Sequence, residues 1–151
     1  MIKIICVGKI KEKFYQDAIA EYQKRLSKYT KLEIIECRDY DIGNIETIKK
    51  MESEEILKRI NDKDYVITLE IEGKSLDSLE FKDLINNTLI NNSNVSFIIG
   101  GSYGLHDDVK KRSNYKLSFS KLTFPHQLFR IILLEQIYRA YKIINNESYH
   151  K

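Results

Sequence analysis

Five short apolar runs, separated by segments of helical pattern, constrain the fold of this 151-residue chain more than any other feature. The runs cover residues 2–7, 32–37, 65–71, 95–99 and 115–119. Apolar runs of this length, rich in β-branched and aromatic residues, favour strands over helices. Because strands that alternate with helices are typical of α/β proteins, we expect one α/β domain over residues 1–151 with a mostly parallel sheet.

The segments between the runs predict the helices and turns. Residues 45–60 are heavily charged and predict a helix that lies on the outside of the domain and frays easily. Glu72-Gly73-Lys74 predicts a turn that ends the third strand. Residues 32–37 alternate apolar and charged side chains, which indicates a strand near an edge of the sheet.

The last predicted helix is apolar on nearly every side between Leu128 and Ile137. Such a helix must be covered all round, and a domain of this size covers its second face only with difficulty. We therefore expect a homodimer in which this helix meets its twin. Pro125, the only proline of the chain, is expected in the first turn of the helix, with Thr123 as the cap.

Composition excludes several classes of protein and leaves one question open. Hydrophobic residues make up 42% and charged residues 31% of the chain, as in ordinary soluble globular proteins. The sequence has neither a signal-peptide pattern nor an apolar stretch long enough to cross a membrane, so we expect a cytoplasmic protein. The net charge is +3, with basic ends and an acidic middle. The basic ends either form a face for a polyanion or only keep the protein soluble.

Two loops follow predicted strand ends and suggest a ligand site. Gly100-Gly101-Ser102-Tyr103-Gly104 follows the fourth strand, and residues 120–126 follow the fifth. Loops with bare backbone at neighbouring strand ends form a crevice in α/β proteins. The glycines match neither a dinucleotide-binding fingerprint nor a phosphate loop, so they either approach a ligand or only make a tight turn.

A few side chains near these loops and at the chain end are candidates for chemistry. His126 is either catalytic or a structural histidine, and Arg130 is a cation in an apolar run that needs a carboxylate or phosphate partner. The final Tyr149-His150-Lys151 is either a frayed end or a group that stacks on and hydrogen-bonds a base. The three histidines lack the spacing of metal ligands, so no metal is expected.

Seven motifs are spread over the whole chain: Val7-Gly-Lys, Ala20-Glu-Tyr22, Thr68-Leu-Glu-Ile-Glu-Gly-Lys74, Val95–Leu105, Leu117–Leu128, Glu135–Tyr141 and Tyr149-His-Lys151. Together they resemble the RlmH family, the small SPOUT-type methyltransferases that modify large-subunit ribosomal RNA. Several motifs in the family's order are more specific than any one of them. The acidic middle helix is the part that resembles the family least.

The resemblance implies a fold, a cofactor and a substrate. The fold is a trefoil-knotted α/β domain in which the C-terminal chain forms the knot, and the family works as a homodimer. S-adenosylmethionine (SAM) is expected in the knot, and the substrate is a pseudouridine of 23S ribosomal RNA, methylated at N3. The cofactor-binding residues carried over are Leu69, Gly100, Gly101, Ser120, Lys121, Leu122, Thr123, Phe124 and Pro125.

Methyl transfer to N3 also requires loss of the N3 proton, so a base or a cation is expected near the reacting atom. The candidates are His126 beside the cofactor loops and Tyr149 and His150 in the tail, which the partner subunit could supply. Arg130, Arg139 and Lys151 are the candidate substrate contacts. Two alternatives remain: a dimeric RNA- or ribosome-binding module without catalysis, and a nucleotide-binding domain that acts on a small molecule.

Overall fold

A five-stranded parallel sheet organises residues 1–150, the part of the chain that the computed structural model describes. The strands are β1 (Ile2–Val7), β2 (Leu32–Cys37), β3 (Tyr65–Ser75), β4 (Val95–Ile99) and β5 (Tyr115–Ser118). Their order across the sheet is β2-β1-β4-β3-β5. Every residue of β1 and β4 is buried, as expected for parallel strands covered on both faces. The predicted parallel sheet and the edge position of β2 are confirmed.

Helices cover both faces of the sheet. They are α1 (Lys13–Leu26), α2 (Ile45–Arg59), α3 (Ser78–Asn91), α4 (Asp107–Arg112) and α5 (His126–Ile144). On one face α5 packs against both α1 and α3, and its Leu133, Leu134 and Ile137 are fully buried. On the other face α2 and α4 cover a smaller apolar cluster that includes Ile56 and Val109. No helix within residues 1–150 is long and apolar enough to span a membrane.

Two expectations about the middle of the chain are wrong. The predicted turn at residues 72–74 is part of β3, which shifts register between Leu69 and Lys74 so that both pair with Leu117. Gly73 is needed there because a Cβ atom would lie 2.7 Å from the Leu117 backbone. The charged helix α2 does not lie wholly on the outside, since Ile48, Ile56 and even Glu52 are buried, whereas its fraying stays a prediction.

The start of α5 also differs from the sequence-based expectation. Pro125 occupies the N-cap position, so the helix begins one residue later at His126, and no side chain caps it. The first backbone bond of the helix runs from the Phe129 N–H to the Pro125 carbonyl, at 2.9 Å. Thr123 lies too far upstream to act as the cap. The trefoil knot that the resemblance implies stays a prediction.

Candidate functional site

A cleft of about 370 Å³ opens where β4 and β5 end, beside the register shift within β3. This is the carboxyl edge of the sheet, where ligands bind in open α/β folds. Three segments form most of its wall, namely residues 69–71, residues 99–105 and the loop between β5 and α5. The two loops singled out in the sequence therefore face one another across a single cavity.

The glycine corner, residues 100–104, approaches the cleft with bare backbone. A Cβ atom on Gly100 would lie 2.9 Å from the Gly104 backbone, and one on Gly101 would lie 2.9 Å from Glu52 Oε1. Gly104 has a φ of +81°, which side chains rarely allow. Within the corner, the Gly104 N–H donates to the Gly101 carbonyl at 3.1 Å, and the two glycines pair as an antiparallel bridge. The N–H groups of Gly100, Ser102 and Tyr103 have no backbone partner among residues 1–150 and are available to a ligand.

The loop at residues 120–125 is ordered by its own serines. The Ser118 hydroxyl donates to the Ser120 carbonyl at 3.2 Å, and the Ser120 hydroxyl accepts from the Leu122 N–H at 2.9 Å. Phe124 anchors the far end of the loop, with its ring 6.0 Å from that of Phe129. The loop is thus held at one end by the last residue of β5 and at the other by the first turn of α5.

Most of the predicted cofactor-binding residues meet at the cleft. Those that line it are Leu69, Gly100, Gly101, Ser120, Leu122, Thr123 and Phe124, whereas Lys121 and Pro125 do not. Sequence reasoning missed Glu70 and Tyr103, which also line the cleft. Their sequence signal is only their place in the chain, since Glu70 follows Leu69 and Tyr103 lies within the glycine corner, two residues after Gly101.

His126 lies where the cleft meets a second, smaller cavity, and it lines both. Burial lowers the pKa of its imidazole, and the nearby Arg130 guanidinium lowers it further, against an opposing effect of Asp39. The neutral form of the ring is therefore favoured. A neutral imidazole can accept a proton, which makes His126 chemically competent as a base.

Arg130 is placed differently from the sequence-based expectation. Only 1% of its surface is exposed, and its guanidinium donates to the Glu36 carboxylate at 2.7 Å and to the carbonyls of Val7 and Gly8. Of the two partners that the sequence left open for this cation, the structure supplies the carboxylate. Arg130 therefore ties α5 to the ends of β1 and β2, and we do not retain it as a phosphate contact.

The tail residues lie at the opposite end of α5 from the cleft. A helix of 19 residues is about 28 Å long. The Tyr149 ring packs on Tyr138 at 5.1 Å, the Arg139 guanidinium lies 4.7 Å above it, and Arg139 also contacts His150 at 3.0 Å. Within one subunit Tyr149 and His150 therefore do not meet His126, and Lys151 lies outside the described residues.

The cleft offers backbone edges, aromatic rings, one imidazole and the Glu70 carboxylate. Residues 1–150 contain no group of three or more His, Cys, Asp or Glu side chains that could hold a metal ion. Unpaired N–H groups on two loops suit a ligand rich in hydrogen-bond acceptors, and the rings of Phe119 and Phe124 suit a flat one.

Comparisons with known proteins agree with this arrangement. A family model described as "Predicted SPOUT methyltransferase" matches residues 1–150. A curated protein of Clostridium botulinum (strain Kyoto / Type A2), named Ribosomal RNA large subunit methyltransferase H, is 56% identical over 99% of both chains. A protein of the same name from Caldicellulosiruptor saccharolyticus is 50% identical over the full length of both.

A solved structure shares the fold at much lower identity. It is described as a probable methylase family protein from Haemophilus influenzae Rd KW20, with a TM-score of 0.58 and 13% identity over 99% of this chain and 70% of that one. Together with the full-length match to the family model and the curated relatives, the motifs of the sequence lead to one conclusion. This chain belongs to the SPOUT methyltransferase family.

Proposed function

We propose that this protein methylates N3 of a pseudouridine in 23S ribosomal RNA, with SAM as the methyl donor. The observation that carries the proposal is the cleft between two loops with unpaired backbone N–H groups, in a chain that matches large-subunit rRNA methyltransferases from end to end. The names of those relatives support RNA of the large subunit as the substrate. The choice of pseudouridine and of N3 rests on the resemblance of the motifs.

The residues around the cleft fit SAM. The free N–H groups of the glycine corner and of residues 120–125 suit the acceptor atoms of an adenine and a ribose, and Leu69 and Phe124 offer apolar contact. When bound, SAM supplies an electrophilic methyl group on a sulfonium. The chain's own contribution is to hold the cleft in shape and to orient the acceptor, since positioning supplies much of the rate in such transfers.

The N3 proton of the target base needs an acceptor. His126 lines the cleft and its neutral form is favoured, so it is the candidate base within the same subunit. Tyr149 and His150 are candidates only if the tail of a second subunit reaches the cleft.

A homodimer brings the tail and the cleft together. The outer face of α5 carries Leu128, Ile131 and Ile132, which a single subunit leaves half-buried. If two such helices pack antiparallel around a twofold axis, the C-terminal end of each lies beside the N-terminal end of the other. The tail of one subunit then faces the cleft of its partner, with Arg139 positioned to contact an RNA phosphate. Lys151, outside the described residues, is proposed to act with them.

The substrate is proposed to be the assembled large subunit or ribosome, in the cytoplasm. The protein is small and its net charge is only +3, so the particle itself is expected to supply much of the recognition surface.

The test is transfer of labelled methyl groups from SAM to assembled ribosomes, isolated large subunits and naked 23S RNA from cells that lack this protein. We expect label at N3 of one pseudouridine, and more of it in the assembled particle than in naked RNA. Absence of label in every acceptor, with a folded dimer that still binds ribosomes, would favour the non-catalytic binding module instead.

A further inference from the structure

A second cavity of about 180 Å³ adjoins the cofactor cleft. The two share the segment 101–103 and His126, so a ligand in the cleft can extend between them into this space. The second cavity differs from the cleft in its charge, because Asp39, Asp41 and Glu52 line it.

Glu52 is the unusual member of this group. Only 5% of its surface is exposed, and its Oε2 atom accepts from the Tyr40 N–H at 3.3 Å. Its Oε1 atom is buried with no hydrogen-bond partner among residues 1–150. Burying a carboxylate oxygen without a partner costs free energy, so a group that donates to it is expected in the complete site.

The surroundings favour a cationic donor. Burial raises the pKa of Glu52, and the charge of Asp39 raises it further, against the effect of the Tyr40 N–H. The buried cation Arg130 lines neither cavity and is already paired with Glu36, and His126 is favoured in its neutral form. The three carboxylates do not form a group that could hold a metal ion. An RNA phosphate would be repelled here, whereas an ammonium group would be attracted.

We propose that this acidic cavity binds the ammonium group of the aminoacyl end of SAM, with Glu52 and Asp39 as the recognition residues. The inference rests on the proposed function, since it assumes that the adenosine part of the donor occupies the adjoining cleft. It assigns a role to a glutamate that lies on α2, the helix least like the family. It also fits the glycine at position 101, because a Cβ atom there would lie 2.9 Å from Glu52 Oε1.

The test compares two ligands that differ only at the aminoacyl end. S-adenosylhomocysteine carries the ammonium group, whereas 5′-methylthioadenosine lacks the whole aminoacyl group and keeps the adenosine and the thioether. Dissociation constants are measured by calorimetry for the wild-type protein, Glu52→Gln, Asp39→Asn and Glu54→Gln. Glu54 is the matched control, because it lies exposed on the same helix and has no ion pair within residues 1–150.

We expect Glu52→Gln and Asp39→Asn each to raise the dissociation constant of S-adenosylhomocysteine about tenfold. The dissociation constant of 5′-methylthioadenosine should stay within about twofold of its wild-type value. The Glu54→Gln control should change neither. If the variants bind both ligands more weakly by the same factor, or bind both as the wild type does, the inference is overturned and the proposed function stands. If the wild-type protein binds neither SAM nor S-adenosylhomocysteine, both fail. Asp39 lies on an exposed loop, so its variant keeps the test valid if Glu52→Gln does not fold.

Discussion

The amino and carboxyl edges of the sheet differ in how many of their polar groups form hydrogen bonds within the chain. At the amino edge, the Lys3 ammonium donates to Asp64 at 2.7 Å, and the Ser96 hydroxyl and the Asn61 N–H donate to the same carboxylate oxygen. Lys3, Asp64 and Ser96 are all buried. At the carboxyl edge, the glycine corner and the loop at residues 120–125 leave most of their N–H groups unpaired beside an open cleft. The buried groups of the amino edge are bonded mainly within the chain, although Asp64 Oδ1 has no partner among residues 1–150, whereas the two loops of the cleft leave most of their N–H groups for a ligand.

The amino edge of the sheet therefore contributes mainly to the stability of the fold, whereas the carboxyl edge contributes mainly to binding. A buried network, in which Asp64 Oδ2 accepts three hydrogen bonds while Oδ1 has no partner among residues 1–150, holds the ends of β1, β3 and β4 in register and stabilises the fold. The carboxyl edge gains its stability from the sheet behind it and gives up local hydrogen bonds for binding. Variants at the two edges should therefore differ in which measurement they change.

The largest effect is expected at the amino edge. Lys3→Met leaves the Asp64 carboxylate buried without its cation, and we expect a loss of about 3–5 kcal/mol in the free energy of unfolding. The measurement is urea denaturation, with Lys9→Met, an exposed lysine, as the control. SAM affinity of the folded fraction should not change. A loss below about 1 kcal/mol would mean that the network contributes little.

At the carboxyl edge, Gly101→Ala should affect binding more than folding. The added Cβ atom would lie 2.9 Å from Glu52 Oε1 and 3.2 Å from Val7 Cγ1, so the corner must shift, at a cost of about 1–3 kcal/mol. We expect SAM affinity to fall about 10- to 100-fold. Ser93→Ala is the control, since that side chain is exposed, lies at the amino edge and lines neither cavity. An unchanged dissociation constant for Gly101→Ala would exclude the corner from the cofactor site.

Arg139 tests whether position alone decides the role of a residue. It lies at the end of α5 near the amino edge of the sheet, yet it is proposed to contact RNA beside the cleft of the second subunit. Its guanidinium pairs with Glu135 at 2.7 Å on a partly exposed surface, so Arg139→Gln should cost less than about 1 kcal/mol of stability. Methylation of ribosomes should fall about tenfold, with SAM affinity unchanged. Full methylation activity in this variant would separate the tail end of α5 from the reaction.

The smallest effect is the contribution of Asp64 to the loss of folding stability at acidic pH. Burial alone would raise the pKa of Asp64, but Lys3, Asn61 and Ser96 outweigh it and hold that pKa below the usual value of about 3.9. The ionised carboxylate therefore stabilises the folded state above about pH 4, and this stability is lost as the pH falls through the lowered pKa. Urea midpoints between pH 6 and pH 3 should fall less steeply for Asp64→Asn than for the wild type. Asp62→Asn, an exposed neighbour, should keep the wild-type slope.

Local patterns in the sequence determined the elements and much of the site. Strand and helix periods depend on neighbours along the chain, which is why four of the five strands begin and end within about one residue of their predicted bounds. The two loops of the cleft carry their own signals, since repeated glycine and a single proline require special backbone. The family, too, was identified from motifs and is confirmed by the comparisons.

Tertiary structure alone decided which groups meet. The continuation of β3 past residue 71 depends on its pairing with Leu117, a partner far along the chain. The sequence showed that Arg130 needs an anion but not that Glu36 supplies it, because that contact depends on how α5 lies across the ends of β1 and β2. The buried position of Glu52 beneath the glycine corner likewise has no local signal. Side chains on separate elements come together only when the sheet order and the helix packing are known.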